Sequence, residues 1–306
     1  NENFPVLHWE IEYGDAEFGV TQGAAEMLEL AEEVIRLSDE SHQAQEMKME
    51  MNYVKGRYKI AVGEYDTGVS CIQKSMEFAE ALGEKKMLLN NLKQMIFYGI
   101  QVEDMEQVHT YVQRGLQMLE AEEKNSEEKG VFIRLKGWYL LHKGNYQEAE
   151  QVLWEAMEIF RTCVSDREYF SMSIAACQGY LGDLSRAKGD FEKAREYYQA
   201  AIELGTGKVV TNGLGQFYSS MGQVLYLEKQ YEEADEYLEK AVSCLKSHGY
   251  YWGLERALAY RAMLLWETGK QEEAKLCYEE SWKISHKIKN PTTISILKQV
   301  ENYINH

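Results

Sequence analysis

Six copies of one pattern follow each other at intervals of about forty residues, and a chain patterned this way has few ways to fold. Two copies read Gly182…Gly189-Asp190-Phe191-Glu192-Lys193-Ala194…Tyr198…Ala201 and Gly222…Tyr231-Glu232-Glu233-Ala234…Leu238…Ala241. A third reads Gly137…Gly144-Asn145-Tyr146-Gln147-Glu148-Ala149…Leu153…Ala156, and looser copies centre on Gly68, Val108 and Ala274. The marker positions are therefore 68, 108, 149, 194, 234 and 274, with spacings of 40, 41, 45, 40 and 40. In the clear copies a small residue lies twelve before the marker, an aromatic three before, and a large apolar residue four after. Small residues let two helices approach closely, and the large ones fill the wedge to the next pair. One such hairpin cannot bury its own apolar face, so the pattern predicts hairpins stacked into an array. Gly144, Gly189 and Gly269 sit where the first helix must stop, the usual place for a left-handed residue.

These residues resemble the tetratricopeptide repeat over roughly residues 44–285. The family's usual period is about 34, and its closing proline is absent from every copy here. Periods near forty are similar to the sensor arrays of bacterial signal-transduction regulators, including the maltose-regulator type and peptide-pheromone receptors. The resemblance implies an all-α, right-handed α-solenoid of stacked helix-turn-helix hairpins. The expected layout is a single domain over 1–306: a degenerate first hairpin at 1–43, six repeats at 44–285, and a capping helix at 290–304.

Composition agrees. Only Pro5 and Pro291 occur, so no proline interrupts the interior helices. The net charge is −17, from 50 acidic and 33 basic residues, a balance that repels phosphate backbones and argues against direct nucleic-acid binding. The five cysteines include no CxxC pair and mostly lie in apolar helical pattern, which fits a reducing, cytoplasmic compartment. No apolar run reaches membrane-spanning length, and the N-terminus lacks a basic-then-apolar signal, so no membrane partner is expected. The first residue is Asn1, which fits either a processed protein or a segment of a longer one.

Along the chain, residues 38–43 read as a loop, and Met47, Met49 and Met51 as a run too closely alternating to lie on one helix face. Asn125-Ser126-Glu127-Glu128 has the form of a helix start. The glycine-rich residues 205–215 read as an inter-hairpin loop, because the P-loop spacing is missing. Asn290-Pro291 opens a final helix with Ile294, Leu297 and Val300 on one face. A search for chemistry finds scattered histidines, no zinc-ligand spacing and no nucleophile elbow, so neither an enzyme, a metal nor a cofactor is expected.

In the family, the first helices line a concave groove. The resemblance implies that positions eighteen, fifteen, eleven and eight before each marker face it. The candidate ligand-binding residues drawn from that set are Tyr53, Arg57, Lys93, Phe97, Arg134, Trp138, Arg186, Gln223, Tyr226, Arg256 and Trp266. Cations, aromatic rings and amides together suit a protein segment or extended peptide, with Arg on carboxylates and rings on side chains. The expected function is the sensor or interaction part of a bacterial signal-transduction or transcription regulator. The alternative is a structural adaptor that holds a folded partner, and self-association stays open.

Overall fold

The computed structural model describes residues 29, 32, 33, 36, 41–120, 126–163, 167–206, 212–247 and 251–305. Among these, the regular elements are thirteen α-helices and no strand. They are α1 His42–Ala61, α2 Tyr65–Leu82, α3 Lys85–Val102, α4 Met105–Leu119, α5 Glu127–His142, α6 Tyr146–Cys163 and α7 Arg167–Ala187. There follow α8 Phe191–Gly205, α9 Asn212–Leu227, α10 Tyr231–Ser247, α11 Leu254–Glu267, α12 Gln271–Ile288 and α13 Pro291–Asn305. The degenerate hairpin expected at 1–43 lies almost wholly outside the described residues. The chain divides into two compact units, one of residues 1–111 with 247–251 and one of 112–246 with 252–306.

One turn design closes every hairpin. Five residues before each marker the backbone takes positive φ: Gly63 (81°), Glu103 (57°), Gly144 (78°), Gly189 (79°), Lys229 (62°) and Gly269 (82°). The next amide reaches back to a carbonyl five residues earlier, as in Asn145 N to Leu140 O (2.9 Å) and Lys270 N to Leu265 O (2.8 Å). That bond satisfies a carbonyl orphaned at the end of the first helix. The carbonyl of the same residue then accepts from the marker amide, as in Ala149 N to Asn145 O (2.9 Å), and the second helix begins.

Hairpin packing follows the sequence register. Val108, Ala149, Ala194, Ala234 and Ala274 are all fully buried. The small residue twelve before a marker lies under the large one four after it. A Cβ added to Gly56 would meet Ile72 at 2.6 Å, one on Gly182 would meet Tyr198 at 2.5 Å, and one on Gly222 would meet Leu238 at 2.7 Å. In the second unit, the residue after the marker on α6, α8 and α10 forms an ion pair with the turn that follows the next first helix: Glu150 with Lys188 (2.8 Å), Arg195 with Glu228 (3.3 Å) and Asp235 with Lys270 (3.4 Å). The first helices α5, α7, α9 and α11 lie side by side, each against the next.

Helix starts follow local chemistry. Ser126 Oγ accepts from Lys129 N (3.3 Å), as its cap pattern predicted. Asn290 Oδ1 accepts from Thr293 N (2.9 Å) at the start of α13, whose Ile296 and Leu297 bury against Ala259, Tyr260 and Met263 of α11. Three local readings differ. Ser41 caps α1, so His42 and Gln43 are helical rather than loop. Met49 and Met51 are both buried, because α1 packs on α2 and α3 from two sides. Gly213 and Gly215 lie inside α9, where a Cβ on Gly215 would meet Leu245 at 2.6 Å; that glycine serves helix contact.

A candidate ligand-binding face on the first helices

In the first unit, Tyr53 is buried in α1 and the Arg57 guanidinium lies over its ring, 5.5 Å from the centroid. Lys93 and Phe97 stand half-buried one turn apart on the adjacent α3. The second unit carries the remaining candidates on α5, α7, α9 and α11, and their surroundings separate them sharply.

Arg186 is already occupied. Its guanidinium donates to Asp183 Oδ1 (3.3 Å) and Tyr198 Oη (3.4 Å), and Tyr198 donates to the same carboxylate (2.7 Å). Burial and the Asp183 carboxylate push the Tyr198 phenol far up, so it stays a donor. Asp183 and Arg186 lie one turn apart on α7, a spacing that makes neighbours on a helix. Gln223 is buried and donates to Ser219 Oγ (3.2 Å) on its own helix. Tyr226 donates to Glu267 Oε1 (2.7 Å) and meets Tyr260 edge-on at 6.4 Å. Burial and Glu267 both push its phenol up. Trp266 packs on the apolar core of the later hairpins. Arg256 is half-buried in the first turn of α11.

Arg134 differs. It is half-buried, and among the described residues no carboxylate pairs with it. Its guanidinium lies 5.7 Å from the centre of the Tyr180 ring on α7, and its buried Nε has no hydrogen-bond partner. Gln178, also on α7, has a buried Oε1 without a partner. One turn beyond Arg134, Trp138 is buried to 6% exposure and stacks on the His142 ring at 3.8 Å, while His142 Nδ1 lies 2.9 Å from Trp138 O. Nearby Cys177 is fully buried, and burial pushes its thiol up to about 12 despite the Arg134 charge. The face between α5 and α7 therefore carries a half-buried cation lying on an aromatic ring, with no carboxylate beside it among the described residues.

Tyr180 and Gln178 escaped the sequence reading because they lie fourteen and sixteen residues before marker 194, between the positions assigned to the groove. Adjacent first helices in contact would have flagged them. Among the described residues no cluster of His, Cys, Asp and Glu could hold a metal ion, and no helix is long and apolar enough to cross a membrane.

Family models for the tetratricopeptide repeat match residues 136–162, 180–204 and 215–243. No curated protein matches the chain. Similar solved structures include NprR in complex with its cognate peptide NprX, at 16% identity and a TM-score of 0.67, covering 92% of this chain and 77% of that one. A Rap protein complexed with competence and sporulation factor has 14% identity and a TM-score of 0.62, covering 97% and 80%. Aspartyl phosphate phosphatase F from Bacillus subtilis has 13% identity and a TM-score of 0.56, covering 98% and 79%. At these identities the likeness is one of fold: an all-α array of sequential hairpins.

Proposed function

We propose that this chain, which carries tetratricopeptide repeats, is a non-enzymatic cytoplasmic sensor module that binds an extended peptide through an acidic group held by Arg134. The observation that carries this reading is the half-buried Arg134 guanidinium on the Tyr180 ring, with no carboxylate paired to it among the described residues. A carboxylate of the ligand satisfies the guanidinium. Arg186 plays a supporting part, since Asp183 and Tyr198 already hold it. Similarity of fold to NprR bound to its peptide supports a peptide as the ligand and a bacterial regulator as the setting. A binding role is favoured over catalysis because Cys177, a thiol near Arg134, is buried and held in its protonated form.

The test is binding of a library of labelled five-residue peptides with free C-terminal carboxylates, against the same library amidated, read by fluorescence anisotropy. Tight binders are expected among acidic or free-carboxylate members, with Arg134→Ala weakening them by about 2 kcal/mol, the scale of an anchor residue. Arg134→Lys is expected to recover only part, because an ammonium cannot present a planar fork. Unchanged affinity in Arg134→Ala would falsify the reading. The adaptor alternative draws on Trp154 and Leu276, exposed on the second helices α6 and α12. It is favoured if a folded partner is lost with Trp154→Ala and kept with Arg134→Ala.

A further inference from the structure

The last hairpin breaks the repeat where the N-terminal end of its first helix meets the C-terminal end of its second. Nineteen residues before the marker, the other hairpins of the second unit have Gly130, Ala175 and Gly215, and eleven after it they have Phe160, Gly205 and Leu245. These positions meet: a Cβ on Gly130 would touch Phe160 at 2.7 Å, and one on Gly215 would touch Leu245 at 2.6 Å. In the last hairpin the same two positions are Glu255 and Ser285, at 0% and 1% exposure. Seven after the marker, Ala156, Ala201 and Ala241 give way to Ser281, whose hydroxyl donates to Glu255 O (2.6 Å). Neither Glu255 carboxyl oxygen has a hydrogen-bond partner, and neither does Ser285 Oγ.

We propose that Glu255 is a proton-controlled latch: neutral, it closes the wedge between α11 and α12; ionised, it loosens that wedge and the α13 helix packed on both. The inference is independent of the peptide site. Its basis is the cost of an ion in a dry place. A buried carboxylate without a hydrogen-bond partner is costly, whereas a neutral carboxyl costs far less to bury, and Ser285 Oγ at the paired position is likewise without a partner.

The charged surroundings do not rescue the ion. On its own helix Arg256 favours the charged form, as do the backbone amides of Gly253, Glu255 and Arg256, which face the carboxyl without closing a hydrogen bond to it, and Arg261 is committed to Asp235 of α10 (2.8 Å). From α12, Glu280 is paired with Lys246, and Lys283, His286 and Lys287 are exposed. On α13, Lys298 and Glu301 are exposed, and Gln216 of α9, which lies against Gly253, donates to Trp252 O (3.0 Å). Burial outweighs Arg256 and lifts the carboxyl from 4.5 to about 7. A folded-state value above the unfolded one means full stabilisation below pH 4.5 and its loss as pH rises through 7.

The experiment is amide hydrogen exchange on the whole chain between pH 5 and 8, corrected for intrinsic rates, comparing α11–α13 with α7–α8 in the same molecule. The opening constant of α11–α13 is expected to rise roughly 10- to 100-fold over that range, with α7–α8 steady. Glu255→Gln, neutral at every pH, should abolish the rise. A flat wild-type profile, or a Glu255→Gln profile that tracks the wild type, overturns the latch. If the variant does not fold, the wild-type profile decides alone.

Discussion

Gly144 and Gly182 belong to one register of small residues yet answer to different physics. Gly144 has φ of 78° with open space around the position of a Cβ, so only the backbone demands glycine. Gly182 has ordinary helical φ, but a Cβ there would press on the Tyr198 ring. Gly144→Ala is therefore expected to cost about 1–2 kcal/mol through left-handed strain, and Gly182→Ala about 1–3 kcal/mol through overpacking. Lys229 holds the same turn position as Gly144 with φ of 62° and a side chain. Lys229→Gly should gain up to about 1 kcal/mol, the reverse of the Gly144→Ala effect. Urea titrations of the three variants check the signs, and a destabilised Lys229→Gly would show the turn to be relaxed. Gly144, Gly189 and Gly269 made three of the six turns legible in the sequence. Glu103 and Lys229 carry no such signal, and only their distance from the marker places them. The hold on Arg186 was half legible, through its spacing from Asp183; the Tyr198 contribution needs the hairpin closed.

At the scale of elements, a helix boundary was legible wherever a side chain makes it and illegible wherever packing does. Ser126 and Asn290 announce α5 and α13 because their oxygens take the first free amides. The start of α9 was hidden, since Gly213 and Gly215 read as loop residues. Leu245 overrides that preference by occupying the space a side chain on Gly215 would fill. Glu255 was hidden for a related reason: an acid in the first turn of a helix reads as a favourable dipole contact, and only alignment with Gly130, Ala175 and Gly215 marks it as foreign. The α13 cap gives the test at this scale. Asn290 is wholly buried, and its Oδ1 accepts from both the amide and the hydroxyl of Thr293. Asn290→Ala is expected to lower stability by about 1–2 kcal/mol. Hydrogen exchange should place the loss in the first turn of α13, and protection there equal to wild type would mean that packing alone sets the helix start.

Among the described helices of the second unit, the main contacts join neighbours in sequence or helices one hairpin apart, so structure there is supported by near neighbours rather than by one central core. Arrays of this kind behave as a sum of hairpin stabilities and interface terms. That physics also explains which part of the function reading came from sequence. A period of forty repeats local contacts and so writes itself into the chain six times, whereas the Arg134 face is formed once, by two particular helices, and leaves no repeated trace. The consequence is a gradient in how damage spreads. Ala234 is fully buried between α9 and α10, and Ala234→Leu adds bulk to a full space, at a cost of about 1–3 kcal/mol. Opening free energies from hydrogen exchange should then fall most in α9 and α10, less in α7–α8 and α11–α12, and least in α5–α6. A uniform fall across α5–α12 would mean that the second unit unfolds as one cooperative block, with interface terms large enough to erase the hairpin as a unit of stability.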